Sequence, residues 1–153
     1  MRLRQLTYGG YPQRIFVSGH TRGLPAAATR HRLAESGITH VFCVAPTPDW
    51  DLEISMDQGF YHHHPLPDGK EIGKDQVRTV VEQIYRVLMD TTDSVLVHCR
   101  AGRNRSCLVA ALVLIKFHQD PKTVLAELRH VRPRALANPL FEKIVTEDWR
   151  DYI

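Results

Sequence analysis

The stretch that decides the fold is Ser94–Phe117, SVLVHCRAGRNRSCLVAALVLIKF. Residues 94–98 form a short apolar run, which is typical of a buried strand. Residues 105–117 are apolar almost all round, which predicts a central, buried helix. Residues 99–104, here named the Cys99 loop, therefore follow the carboxyl end of a strand and precede the amino end of a helix. In open α/β sheets this is the edge at which ligands bind.

Strands and helices alternate along the rest of the chain. We predict strands at residues 14–18, 38–45 and 60–64, and helices at residues 26–36, 72–90, 121–131 and 139–149. Residues 46–59 hold prolines, acids and a glycine and are predicted to be mostly loop, and residues 1–13 are predicted to be a loosely ordered segment. The alternation predicts a single α/β domain over residues 1–153, with a central, mostly parallel sheet flanked by helices.

The composition fits one soluble domain. The chain has 153 residues and a formal net charge of +3, which is too mild to indicate nucleic-acid binding. The longest apolar run, residues 108–115, is too short to span a bilayer, and the start lacks the apolar core of a secretory signal. Cys43, Cys99 and Cys107 are too few for a disulfide scaffold, which favours a reducing, cytoplasmic location.

The Cys99 loop has the features of a phosphate site. The amino end of a helix carries unpaired N–H groups and a partial positive charge. Gly102 allows the backbone to curl so that successive N–H groups point inward. Arg105 adds a planar fork that can hold two oxygens of a tetrahedral anion. The predicted phosphate-binding residues are Arg100, Ala101, Gly102, Arg103, Asn104 and Arg105.

The same surroundings favour nucleophilic chemistry at Cys99. Cations and a helix amino end favour the thiolate form of a cysteine, and the thiolate is the nucleophile. Cys99 would then lie beneath a bound phosphoryl group. We expect His98 to orient the backbone of Cys99, and Ser106 to donate a hydrogen bond to the sulfur when it leaves.

A displacement of this kind also needs a general acid, because the leaving alkoxide or phenoxide must be protonated and a water later activated. Asp68 is the leading candidate, since it lies in a loop between proline and glycine after a predicted strand. Such a loop can project over the same edge of the sheet. Asp49, Asp51 and Asp57 lie in the stretch 46–59 and are weaker candidates.

The run of His98, Cys99, five further residues, Arg105 and Ser106 resembles the signature of the cysteine-dependent protein tyrosine phosphatases. Asp68 stands at the interval before the cysteine where the dual-specificity branch carries its general acid, here within the sequence LPDG. The segments RIFVSG and GITHVFCV, and residues 131–141, resemble the strands and the closing segment of that branch. The resemblance implies a dual-specificity phosphatase with a shallow pocket, a phosphocysteine intermediate and no metal or other cofactor.

The resemblance also implies two supporting roles. Asn138 is expected to buttress the Cys99 loop, although its place before Pro139 equally suits a helix cap. Cys43 is expected to bond to the sulfur of Cys99 under peroxide, although a buried apolar filler is the commoner role of a strand cysteine.

Two groups of residues have a second interpretation. Arg100 and Arg103 are either solvated charges at the rim or basic groups that face the pocket and favour a polyanionic substrate. His62, His63 and His64 suggest a metal site, but no acid or cysteine completes a spaced ligand set. Packed or solvated histidines are therefore the favoured interpretation.

The predicted substrate is a phosphorylated protein that carries phosphotyrosine, phosphoserine or phosphothreonine. A phosphoinositide or an RNA 5′-phosphate is the alternative, and the latter is the one role foreseen for nucleic acid. A rhodanese-like sulfurtransferase is disfavoured by the five-residue interval to Arg105 and by the serine that follows. An inactive module that binds phosphorylated partners is disfavoured by the intact set of Cys99, Arg105 and Asp68. The sequence does not indicate an oligomeric state.

Overall fold

The structure is a computed structural model that describes residues 2–6, 14–21, 24–56 and 59–153. Its strands are β1 (Arg4–Gln5), β2 (Ile15–Ser18), β3 (Ile38–Cys43), β4 (Phe60–His63) and β5 (Ser94–His98). Its helices are α1 (Ala26–Glu35), α2 (Trp50–Ser55), α3 (Lys74–Asp90), α4 (Arg105–Lys116), α5 (Pro121–Val131) and α6 (Pro139–Lys143). A π-helical turn (Ile144–Asp148) and a 3₁₀ turn (Trp149–Asp151) continue α6. No helix in the described ranges is long and apolar enough to cross a membrane.

A five-stranded sheet lies at the centre of the described chain, in the order β1-β2-β5-β3-β4. Four neighbouring strands, β2, β5, β3 and β4, run parallel to one another, and β1 pairs antiparallel with β2 at one edge. The prediction of a mostly parallel sheet is therefore confirmed, and β5 lies in its middle. Residues 2–6 of the segment predicted as loosely ordered contribute β1, whereas residues 1 and 7–13 lie outside the described residues.

Helices cover both faces of the sheet. Val97 of β5 packs in the larger core cluster with residues of α3, α4, α5 and α6. Leu33 of α1 and Leu52 of α2 pack in a smaller cluster on the other face. Every residue of α4 except Lys116 is buried, since the sheet, α3 and α5 surround it. This burial confirms the prediction of a central, buried helix. It also anchors Arg105, the residue after the Cys99 loop, in the core.

The stretch 46–59 differs from its prediction because part of it is helical. The carboxylate of Asp49 caps α2 by accepting a hydrogen bond from the Leu52 N–H at 3.2 Å. Leu52 is fully buried, which fixes the short helix to the domain. Six residues are too few for helical periodicity to show in a sequence, so the prolines and acids dominated the prediction.

The three consecutive histidines have separate partners. His62 Nε2 lies 3.2 Å from His40 Nδ1, and His63 Nε2 lies 2.9 Å from the carbonyl oxygen of Ala45. His64 Nε2 lies 2.9 Å from a glutamine side chain of α3. These contacts support the interpretation of packed histidines. Within the described ranges, no group of three histidine, cysteine, aspartate or glutamate side chains is arranged to hold a metal ion.

Candidate active site

The Cys99 loop is folded tightly against the end of β2. Gly102 has a φ of +65°, and a Cβ at this position would lie 2.4 Å from the carbonyl carbon of Ser18. Gly19 is similarly confined, because a Cβ on it would lie 3.0 Å from the carbonyl oxygen of Arg100. The Cys99 N–H donates to the Ser18 carbonyl oxygen at 3.4 Å. Both the left-handed backbone and the close approach require glycine at position 102.

Cys99 lies at the base of this loop, and only 2% of the residue is exposed. The Gly102 N–H donates to the Cys99 Sγ at 3.2 Å, and the Ser106 Oγ lies 3.4 Å from the same sulfur. Ser106 is in the first turn of α4, so the thiol lies at a helix amino end, where a negative charge is favoured. The Gly102 N–H and the Ser106 hydroxyl can both donate a hydrogen bond to a thiolate at Cys99.

Arg105 is a buried cation whose hydrogen-bonding capacity is mostly unused. Its Nη1 donates to the carbonyl oxygen of Leu66 at 3.3 Å, and its Nε is buried without a partner in the described chain. None of the ion pairs between described residues includes Arg105. A buried charge is costly unless it is paired. The Arg105 guanidinium group is therefore suited to bind an anion that comes from outside the chain.

Asp68 is held against the Cys99 loop by two asparagines. The Asn104 Nδ2 donates to the Asp68 Oδ2 at 3.1 Å, and the Asn138 Nδ2 donates to the Asp68 Oδ1 at 2.9 Å. Asn138 also donates from its N–H to the Asn104 Oδ1 at 3.1 Å, and its own Oδ1 accepts from the Leu140 N–H at 3.0 Å. Asn138 therefore caps α6, as its place before Pro139 suggested, and also contacts the Cys99 loop; its role in buttressing that loop stays a prediction.

The contact between Asn104 and Asp68 was not predicted from the sequence. Asn104 was expected only to contribute to the phosphate-binding backbone. Its side chain instead bonds to Asp68 and to the Asn138 N–H, which are 36 and 34 positions away along the chain. No local spacing marks such a contact, because it depends on how two loops meet over the sheet.

Asp49, a weaker candidate for the general acid, has a structural role. Thr21 donates to its carboxylate from the N–H at 3.0 Å and from the Oγ1 at 2.9 Å. Burial alone would raise the pKa of Asp49, but the hydrogen bonds from Thr21 and from α2 outweigh burial and lower it. These hydrogen bonds favour the carboxylate form of Asp49 and fix it to Thr21 and α2, so it is less suited than Asp68 to donate a proton. Asp51 is exposed in the first turn of α2, and Asp57 lies outside the described residues.

His98 is fully buried directly before Cys99. Its ring packs edge-on against the ring of His20, with centroids 5.8 Å apart, and forms no hydrogen bond of ordinary geometry in the described ranges. Burial lowers the pKa of His98 to about 4, and the negative charge of Asp49 opposes this shift without overcoming it. The ring is therefore neutral at neutral pH, and its role in orienting the backbone of Cys99 stays a prediction.

We expect this buried histidine to make the fold sensitive to acid. The unfolded state binds a proton at His98 near pH 6.5, whereas the folded state does so only near pH 4. The contribution of His98 to the free energy of unfolding is therefore fully present above pH 6.5 and is lost as the pH falls towards 4. This loss amounts to about 2 kcal/mol between pH 7 and pH 5. Urea unfolding of the wild type and of His98→Asn at both pH values measures this loss.

His40, His62 and His64 also have pKa values lowered by burial and act in the same direction. Their share of the pH dependence remains in His98→Asn, so only the difference between the two proteins reports His98. The exposed His31, replaced by asparagine, serves as the control and should retain the wild-type pH dependence. An unchanged pH dependence in His98→Asn would contradict the assignment.

The two arginines of the Cys99 loop, Arg100 and Arg103, are both exposed. Arg103 lines a cavity beside the loop together with four arginines from other segments. Ala101 and Arg103 also bind the chain after α5 through their backbone. The Ala101 carbonyl oxygen accepts from the Arg132 Nη2 at 3.0 Å, and the Arg103 carbonyl oxygen accepts from the Leu136 N–H at 2.9 Å.

The two other cysteines are free and fully buried. Cys43 pairs in register with His98, the residue before Cys99, and its Sγ lies 3.7 Å from the carbonyl oxygen of Thr47. A disulfide with Cys99 would require the Cys43 side chain to leave this contact, and the pairing stays a prediction. Burial raises the pKa of Cys107 to about 12, so its thiol is unreactive.

Solved structures share this fold. The human DUSP28 structure matches with a TM-score of 0.77 and 18% identity, covering 99% of this chain and 95% of that chain. The PTP-2 phosphatase of Cydia pomonella matches with a TM-score of 0.77 and 17% identity, covering 94% of this chain and 87% of that one. At this level of identity the likeness shows the fold alone.

Sequence comparison adds the family. Cyclin-dependent kinase inhibitor 3 of Rattus norvegicus is 30% identical over 129 residues, which are 78% of this chain and 60% of that protein. The chain thus spans less than two thirds of this relative. A family model described as "Polymorphic toxin system, DSP-PTPase phosphatase" matches residues 18–119. That range covers more than half of the chain and contains Asp68, Cys99 and Arg105, so the chain belongs to this family of DSP-PTPase phosphatases.

Proposed function

We propose that the protein hydrolyses phosphomonoesters through a phosphocysteine intermediate at Cys99. The observation that carries the proposal is the buried Arg105, which has an unpaired Nε and no acidic partner in the described chain. Cys99, at the other end of the same loop, already accepts a hydrogen bond from the Gly102 N–H. A phosphoryl group above Cys99 would accept hydrogen bonds from Arg105 and balance its charge. No acidic group in the described part of the chain does so.

The first step transfers phosphorus to sulfur. The Cys99 thiolate attacks the phosphorus atom while the bond from phosphorus to the leaving oxygen breaks, and Asp68 gives its proton to that oxygen. Arg105 and the inward N–H groups of the loop bind the equatorial oxygens, where charge is held in the transition state. The hydrogen bonds from Asn104 and Asn138 keep Asp68 over the loop.

The second step releases phosphate. Asp68, now ionised, takes a proton from water, and the water oxygen attacks the phosphorus while the bond from sulfur to phosphorus breaks. The sulfur leaves as a thiolate, and Ser106 donates a hydrogen bond to it across the present separation of 3.4 Å. The proposed reaction uses no metal or other cofactor. Arg105 and the loop N–H groups balance the charge on the phosphoryl oxygens, and Asp68 transfers the proton.

Phosphoproteins are the proposed substrates, with phosphate removed from tyrosine, serine and threonine side chains. The support is the family, which is that of dual-specificity phosphatases. A non-protein polyanion is the second candidate, since Arg103 of the Cys99 loop and four further arginines line one cavity. We also propose a reducing, cytoplasmic location because the three cysteines are free.

The function is tested by the initial rates on p-nitrophenyl phosphate, a phosphotyrosyl peptide and a phosphoseryl peptide. Transfer of sulfur from thiosulfate to cyanide is measured in parallel. We expect hydrolysis of all three phosphates and no sulfur transfer. Sulfur transfer without hydrolysis would indicate a rhodanese-like enzyme. Binding of phosphopeptides without turnover would indicate a binding module.

A further inference from the structure

The asparagine that precedes α4 does not cap that helix. Asp49, Asp120 and Asn138 stand at the same place before α2, α5 and α6, and the side chain of each accepts a backbone N–H of the helix that follows. An asparagine before a helix ordinarily does the same. The side chain of Asn104 makes no such bond to α4 and instead contacts Asp68 and Asn138.

The contact with Asp68 fixes a segment that packing leaves loose. Residues 67–71 are exposed, so burial of apolar side chains does not set the position of the acid. The chain contains two asparagines, and both donate to the carboxylate of Asp68. In the described chain, the hydrogen bonds to Asp68 and Gly69 come from these two amides. The place of the acid therefore depends on Asn104 and Asn138.

The two asparagines hold the carboxylate in different ways. The Asn138 Nδ2 donates to the Asp68 Oδ1 at 2.9 Å and to the Gly69 carbonyl oxygen at 3.0 Å, so it holds the segment through one carboxylate oxygen. The Asn104 Nδ2 lies 3.3 Å from the Oδ1 and 3.1 Å from the Oδ2, so it spans the carboxylate. A contact with both oxygens opposes rotation about the Cβ–Cγ bond, whereas a contact with one oxygen permits it. Asn104 therefore sets the orientation of the carboxyl group.

The same contacts distinguish the two oxygens of Asp68. Each carboxylate oxygen has two lone pairs that can accept a hydrogen. The Oδ1 accepts from both asparagines, whereas the Oδ2 accepts from Asn104 alone among the described residues. The Oδ2 therefore keeps one lone pair for a proton, and the Oδ1 has both of its lone pairs engaged.

We propose that Asn104 is a positioning residue for the general acid, and that it orients Asp68 so that the Oδ2 exchanges the proton. The inference rests on the proposed function, in which Asp68 protonates the leaving group. Asn104 directly precedes Arg105, so one end of the Cys99 loop places both the anion-binding guanidinium group and the acid. Because Asn104 does not cap α4, the first N–H groups of this helix can still donate to a phosphoryl oxygen.

Asn104→Ala should lower kcat on a phosphoseryl peptide by roughly 10-fold to 100-fold, because a misoriented acid protonates the leaving alkoxide poorly. On p-nitrophenyl phosphate the loss should stay below about threefold, since nitrophenolate leaves without a proton. The inhibition constant of inorganic phosphate should keep its wild-type value, because Arg105 and the loop N–H groups are unchanged. A role of Asn104 in folding the Cys99 loop would instead weaken phosphate binding and slow both esters equally, which would overturn the proposal.

Asn104→Asp separates the donor of this side chain from its acceptor. The aspartate keeps an oxygen that can accept from the Asn138 N–H, which now lies 3.1 Å from the Asn104 Oδ1, and replaces only the Nδ2 donor. Two neighbouring carboxylates repel each other, so kcat on the phosphoseryl peptide should fall at least as far as in Asn104→Ala. Wild-type kcat in Asn104→Asp would show that Asn104 serves only as an acceptor for Asn138, and the proposal would fail.

A double-mutant cycle with Asp68→Asn identifies the route of the effect. In the Asp68→Asn background, Asn104→Ala should change kcat on the phosphoseryl peptide by less than about twofold, because no acid is left to position. An undiminished loss in this background would mean that Asn104 acts independently of Asp68, contrary to the proposal. Gln76→Ala removes an exposed amide in the first turn of α3 and is the matched control, which should keep both wild-type rates.

Failure of the positioning role is distinguishable from failure of the proposed function. Wild-type rates on both esters in Asn104→Ala, together with a loss in Asp68→Asn, would refute the role of Asn104 and leave the function standing. A wild type that hydrolyses neither ester would refute the function. The contact itself is measured without turnover, by the NMR order parameter of the Gly69 N–H, which should fall in Asn104→Ala and not in Gln76→Ala. An unchanged order parameter in Asn104→Ala would overturn the proposal.

Discussion

Replacement of Cys99 by serine is expected to lower the turnover of every phosphomonoester by roughly 10⁴-fold or more. A serine hydroxyl is almost un-ionised at neutral pH and is too weak a nucleophile for attack on phosphorus. The fold should survive, because serine is close in size to cysteine and its Oγ can accept the Gly102 N–H that now bonds to the Cys99 Sγ. Steady-state rates and urea unfolding curves check the two halves of this prediction.

Cys107→Ser is the matched control, since it makes the same chemical change at a fully buried cysteine in the first turn of α4. It should retain most of the activity. Iodoacetate should alkylate Cys99 before Cys107, because burial raises the pKa of Cys107 to about 12. Near wild-type turnover in Cys99→Ser, or first alkylation at Cys107, would rule out the covalent mechanism at Cys99.

Asp68→Asn is expected to lower kcat by roughly 10²-fold to 10⁴-fold on alkyl phosphates, whose leaving groups need a proton. The loss should be smaller on p-nitrophenyl phosphate, because nitrophenolate leaves without protonation. Asparagine keeps the shape of the side chain and one oxygen that can accept from the Asn138 Nδ2. The ratio of kcat values on the two substrates therefore separates proton transfer from loop position.

The exposed Asp75, at the start of α3, provides the matched control. Asp75→Asn removes the same charge and should leave both rates unchanged. Equal losses on the alkyl and aryl esters in Asp68→Asn would show that Asp68 acts only by holding the loop. The proton donor would then have to be sought elsewhere.

The sequence predicted the centre of the fold well because its signals there are local. The strand Ser94–His98 and the helix after it have the all-round burial that their continuous apolar residues indicate. The place of Cys99 between them follows from those two elements alone. The cap formed by Asn138 was also visible, since asparagine before proline is a short-range pattern.

What the sequence could not supply are the contacts between distant segments. Asn104 bonds to Asp68, and Arg4 shares a cavity with Arg103, only because the folded sheet brings their loops to one edge. The role of Asp49 was missed for a related reason. Its helix is too short to show a period, so the acid was indistinguishable from its neighbours in the chain.

The contact between Gly19 and Gly102 has a consequence for how the chain can vary. Each glycine faces the backbone next to the other, so a methyl group on either would enter the same narrow gap. A larger residue at one position therefore cannot be compensated by a smaller residue at the other, because both positions already carry glycine. The two positions behave as a single site in mutational tolerance, although one lies near the start of the chain and the other in the Cys99 loop.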